Sequence, residues 1–68
     1  MFLSSDMYFG DNSLTYMFDT EKGTHTCLLT FPSGHDHLLA ASAGEAASFL
    51  APYRGLGDID SLFAWLCR

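Results

Sequence analysis

Histidine, cysteine and carboxylate side chains are the groups in this 68-residue chain that could do chemistry, and few of them are spaced for it. His35-Asp36-His37 is the densest cluster. Two histidines two residues apart project the same way from an extended chain and can share a metal ion. A structural zinc site needs four ligands and a catalytic one three plus water, so His25 or Cys27 would have to complete the set from a neighbouring strand. No other paired Cys or His spacing exists, and a solvated loop is the stronger reading, so neither a metal nor another cofactor is expected. Cys67 as a nucleophile would need a nearby base or a helix amino terminus. It falls instead at the carboxy end of an expected helix, where the dipole disfavours a thiolate. Gly55-Leu56-Gly57 lacks the third glycine and the preceding strand of a dinucleotide loop, and no Gly-x-Ser-x-Gly elbow or Walker loop is present. Asp58 and Asp60 read better as helix-start acids than as an acid/base pair. A chain this short leaves little room for a supported pocket, and a non-catalytic protein is expected.

Periodicity supplies the elements that must position these residues. Leu14, Tyr16 and Phe18 alternate with Thr15, Met17 and Asp19, and Cys27, Leu29 and Phe31 alternate with Thr26, Leu28 and Thr30. This predicts a central hairpin within Ser13–Phe31. A loop of Glu21 to Thr24, with Lys22 at its tip, pairs Phe18 with Cys27, Tyr16 with Leu29 and Leu14 with Phe31. A slip of one residue would mix the faces. Upstream, Met7 and Phe9 alternate with Asp6 and Tyr8, and a two-residue loop at Asp11-Asn12 pairs Phe9 with Leu14 and Met7 with Tyr16. Phe31-Pro32-Ser33-Gly34 ends the third strand, with His35-Asp36-His37 placed in the turn; His37 to Ala41 is either a short fourth strand, the favoured reading, or the first turn of a helix. Ser42-Ala43-Gly44-Glu45 is a capping-box pattern, followed by Ala46, Phe49, Leu50 and Tyr53 at helical spacing until Pro52 stops the helix. A second helix starts at Asp58 as N-cap, carries the stripe Ile59, Leu62, Phe63 and Leu66, and has Trp65 at the stripe's edge. The expected fold is α+β: one domain over residues 1–68, an antiparallel β-meander of three to four strands with two short C-terminal helices packed on one face.

By parity, the sheet face opposite Leu14 and Tyr16 carries Phe2, Tyr8, Met17 and Leu28, diluted by Asp6, Thr15, Thr26 and Thr30. A solvated sheet face is usually more polar, so a helix or another chain should cover it. Eight acids against three bases give a net charge of −5, while charged residues make up only 16% of the chain and apolar ones 49%. That balance argues against direct nucleic-acid binding, which needs Lys and Arg to displace counterions. It suits a basic protein surface instead. The expected partner-binding epitope is aromatic, apolar and acidic: Tyr8, Met17, Leu28, Tyr53 and Trp65 with Asp6, Asp11, Asp19 and Glu21. No apolar run reaches membrane-spanning length, and MFLSSDMYF is interrupted by Ser4, Ser5 and Asp6, so neither a membrane partner nor a signal peptide is expected. Cys27 and Cys67 are then reduced thiols in a cytoplasmic protein.

In length, acidity and compact α+β layout, the chain resembles the small acidic proteins with which phages and other mobile elements inhibit host machinery, anti-CRISPR proteins among them. The likeness lies in format rather than in any motif. It implies a non-catalytic inhibitor in the host cytoplasm that occludes a basic, nucleic-acid-handling host complex. Surplus apolar surface also suits a self-associating structural or regulatory module whose spare sheet face makes a homodimer. A metal-dependent regulator using His35 and His37 is a weaker alternative.

Overall fold

Residues 1–68 are described by a computed structural model. The alternating segments form four antiparallel strands: β1 (Phe2–Phe9), β2 (Asn12–Asp19), β3 (Thr24–Phe31) and β4 (Gly34–Ala40). They lie in one open sheet in the order β1-β2-β3-β4. Two helices follow, α1 (Ala43–Leu50) and α2 (Ile59–Leu66), separated by a single 3₁₀ turn over Ala51–Tyr53. The fold is therefore the expected α+β meander with all four strands. The turn after β3 is only Pro32-Ser33, so His35-Asp36-His37 lies inside β4 and not in a turn.

Both of the first two hairpins close two residues away from the expected register. Leu14 faces Leu29, Tyr16 faces Cys27 and Phe18 faces His25; Met7 faces Leu14 and Phe9 faces Asn12. A shift of two residues leaves every side chain on its original face, so burial alone could not separate the alternatives. Turn chemistry separates them. The β1–β2 loop is Gly10-Asp11, with Gly10 at φ 62° and no non-glycine residue at positive φ. Positive φ at the first of two loop positions is the type II′ pattern, which glycine adopts without a Cβ penalty and which matches the strand twist. The β2–β3 loop is organised by Asp19. Its Oδ1 accepts from the amides of Glu21 (3.0 Å) and Lys22 (3.3 Å). Its carbonyl accepts from the Gly23 amide (2.8 Å). Asp19 thus closes the hairpin against Thr24.

One sheet face packs under the helices. Leu14, Tyr16, Cys27, Leu29 and Ala40 from the sheet meet Ala46, Ala47 and Leu50 of α1 and Ile59 and Leu66 of α2. Leu14, Leu29, Leu50 and Ile59 are fully buried, each contributing about 1.5–3 kcal/mol relative to an exposed side chain. Leu62 and Phe63 complete the α2 stripe as half-buried neighbours.

Helix α1 starts as the sequence predicts, with Ser42 Oγ accepting from the Glu45 amide (3.2 Å). The Glu45 carboxylate reaches back one residue further than in the usual capping box, to the Ala41 amide (3.2 Å). The start of α2 differs from expectation, because the Asp58 side chain caps nothing. Its main-chain carbonyl accepts from Ser61 (3.1 Å) and Leu62 (3.3 Å) instead. Asp60 holds the connector, accepting from the Gly55 amide (3.0 Å) and Arg54 Nε (3.3 Å). At Gly57, φ is +51° and a Cβ would lie 3.3 Å from the Phe9 ring, so glycine lets the connector close over β1.

Candidate functional site

No element covers the second face of the sheet. The register sets its side chains in rows: Tyr8, Ser13, Thr30 and His35; Asp6, Thr15, Leu28 and His37; Ser4, Met17, Thr26 and Leu39; then Phe2, Asp19 and Thr24. Directly opposed residues share a face in an antiparallel pair, so these rows form one continuous surface. Tyr8 is 80% exposed, Phe2 and Leu39 are each 64%, and Met17 is 37%. Leu28, in a central strand, is half-buried by its neighbours. Asp6 and Asp19 are the only carboxylates in these rows, and none of the three basic residues belongs to them: Lys22 sits in the β2–β3 loop, while Arg54 and Arg68 belong to the helical layer. The result is an apolar and hydroxyl-rich platform with negative charges and no lysine or arginine.

The structure divides the expected epitope. Asp6, Tyr8, Met17, Asp19 and Leu28 share the open face. Asp11 lies in the adjoining β1–β2 turn, and Glu21 lies in the β2–β3 loop, 3.6 Å from the exposed Met1 ammonium. Tyr53 and Trp65 belong to the other layer, so they cannot meet the same surface as Tyr8. The Tyr53 hydroxyl donates to Asp36 Oδ2 (3.0 Å), which is the main cause that raises the phenol's pKa, with burial and the Asp36 charge adding to it. Trp65 stands edge-on to Tyr16 (6.2 Å between ring centroids) and Phe18 (6.4 Å), and 38% of it remains exposed. With Leu3, Ser4, Ser5, Tyr16 and Leu62 it lines a shallow cavity of about 170 Å³ beneath β1. Leu39, His35 and His37 on the open face were not among the expected epitope residues. Their parity became legible only once β4 was known to run from Gly34 to Ala40.

The same parity separates the candidate metal ligands. His35 and His37 are on the open face, whereas His25 and Cys27 point into the core from β3, with the sheet between them. No three His, Cys, Asp or Glu side chains converge anywhere. His25 belongs instead to a buried polar pair. Its Nδ1 lies 2.7 Å from the Tyr16 hydroxyl, and its ring stacks on Phe18 at 4.5 Å. Desolvation lowers the His25 pKa. It pushes Tyr16 up to about 12, with the Cys27 charge adding to the effect, and burial pushes the Cys27 thiol up to about 11. A thiol held in its neutral form there is a packing group rather than a nucleophile. Every buried side-chain nitrogen and oxygen has a partner, so the interior contains no unexplained polar atom.

Comparisons with protein-family models, with curated proteins and with solved structures return no match.

Proposed function

We propose that this protein is a non-catalytic binding protein that lays its uncovered sheet face on the basic surface of a larger, nucleic-acid-handling complex and occludes it. The observation that carries the reading is the platform itself, where Phe2, Tyr8, Met17 and Leu39 stay exposed on a face without lysine or arginine. Large apolar side chains left exposed together on one face of a small domain suit a contact site, and aromatic side chains are common anchors in such contacts. Acids around the anchors speed encounter with a cationic partner and disfavour acidic ones. The length, net charge of −5 and α+β layout also support a role of the kind that phage-encoded inhibitors, anti-CRISPR proteins included, perform against host complexes.

The test compares wild-type protein with a triple variant, Tyr8→Ser, Met17→Thr and Leu39→Thr, as baits at low and high salt. Wild type should retain a nucleic-acid-binding complex that is released by salt and by competing duplex DNA. The variant should keep the wild-type circular dichroism spectrum and lose that complex. Retention of no such complex at low salt, or equal retention by the folded variant, overturns the proposal.

A further inference from the structure

The outer edge of β1 has no partner strand within the chain. In the β1–β2 ladder the odd residues of β1 are the bonded ones, as shown by the Thr20 amide donating to the Met1 carbonyl (2.9 Å) and by the two-residue loop closing at Phe9 and Asn12. The amides and carbonyls of Phe2, Ser4, Asp6 and Tyr8 therefore point outward. Natural edges are normally blunted by charged side chains (lysine above all), proline, bulges or a covering element, and β1 carries one such charge, Asp6. Between Phe2 and Phe9 there is no proline, no lysine and no break in register. The opposite edge, β4, carries His35, Asp36 and His37 and runs directly into α1.

From this edge we infer that the protein forms a two-fold dimer in which β1 of one copy adds antiparallel to β1 of a second, making one eight-stranded sheet. The register follows from the outward residues. Centring the axis on Ser5 pairs Phe2 with Tyr8 of the second copy and Ser4 with its Asp6, so all four outward residues are used in each chain. Centring it on Asp6 would set like charges face to face, and centring it on Ser4 would leave Tyr8 unpaired. In the chosen register the one charge on each edge meets a hydroxyl. The aromatic rings pair on the open face. On the helical side Ser5 meets Ser5 of the second copy, and Met7 of the second copy lies beside Leu3 at the mouth of the cavity that Leu62 and Trp65 line. Methionine is the side chain best able to fill an irregular apolar gap of this kind.

The area is modest. An overlap of seven residues is only ~23 Å long and one strand wide, a small contact of the kind found among weak, transient complexes. Association in the roughly 10 µM to 1 mM range is therefore expected. The inference does not depend on the docking proposal above, because it uses the strand edge rather than the platform; dimerisation would set two platforms side by side.

Sedimentation equilibrium over that concentration range should show a monomer–dimer transition. Amides of Phe2, Ser4, Asp6 and Tyr8 should gain hydrogen-exchange protection with concentration while those of His35, His37 and Leu39 do not. Ser4→Pro removes an outward donor without touching the β1–β2 ladder, and should weaken association at least ten-fold with the monomer's spectrum unchanged. In a Cys67→Ser background, Ser5→Cys should give a disulfide-linked dimer on mild oxidation, because unbonded antiparallel pairs bring Cα atoms to about 4.5 Å. Met7→Cys should not. A monomer at about 1 mM, concentration-independent exchange at the four even residues, or equal cross-linking of both cysteine variants each overturns the inference.

Discussion

Removing one buried hydroxyl provides a strict test of how the interior is held together. Tyr16 is 3% exposed and His25 5%, and their polar atoms satisfy each other at 2.7 Å. Tyr16→Phe keeps the ring, and with it the edge-on contact to Trp65, but leaves His25 Nδ1 buried without a partner. Such an orphaned group costs about 1–3 kcal/mol. For a chain of this length the whole folding stability is on the order of 3–10 kcal/mol, so the loss is a large share of it. Each kcal/mol shifts Tm by about 4–8 °C in a domain of this size. Adding His25→Leu to Tyr16→Phe removes the orphan, and the double variant should be more stable than Tyr16→Phe alone. The histidine also gives the fold an acid limit. Its pKa is lowered in the folded chain, whereas unfolded histidine titrates near 6.5. The unfolded state then binds the proton more readily, so stability is at its full value above about pH 6.5 and falls as pH drops through the folded pKa. Denaturant titrations followed by Trp65 fluorescence at about pH 7.5 and 5.5 would measure both effects. If Tyr16→Phe unfolds at the wild-type denaturant concentration, or if His25→Leu leaves the acid loss unchanged, the Tyr16–His25 pair does not hold the core.

Thiol burial and helix capping can each be checked directly. Cys67 is exposed while Cys27 is fully buried with its pKa pushed up to about 11. One thiol per native chain should therefore react rapidly with an alkylating reagent near pH 8, and mass mapping should place the label on Cys67; rapid native labelling of Cys27 would contradict the burial. Ser42→Ala should cost about 0.5–2 kcal/mol through loss of the α1 cap, with Ser42→Asp restoring most of it. A Ser42→Ala protein that melts with wild type would show that tertiary packing alone holds the start of α1.

Much of the architecture was legible in the residues. The two-residue period of Leu14, Tyr16 and Phe18 and of Cys27, Leu29 and Phe31 assigned each side chain to a face, because pleating leaves it no other choice. The open-face inventory of Phe2, Tyr8, Met17 and Leu28 followed from that period. Ser42 and Glu45 marked the start of α1 through local hydrogen bonds. Register was not legible from burial. A two-residue slip preserves both faces, and only the left-handed backbone at Gly10 and the amides gathered by Asp19 separate the alternatives. Nor could the period of α2 say which part of the sheet it would cross. That crossing took Trp65 away from Tyr8, and the Tyr53 bond to Asp36 likewise belongs to the helical layer. The β2–β3 register likewise left His25, which in sequence resembled a possible ligand, as the core partner of Tyr16.

The chain alone determined which residues could be inside, since periodicity is a property of neighbours along the backbone. Tertiary structure decided which of them meet and which face stays bare. Those outcomes depend on turn geometry and on two helices choosing the same side of one sheet, and neither is encoded at the spacing of two or four residues that a sequence displays.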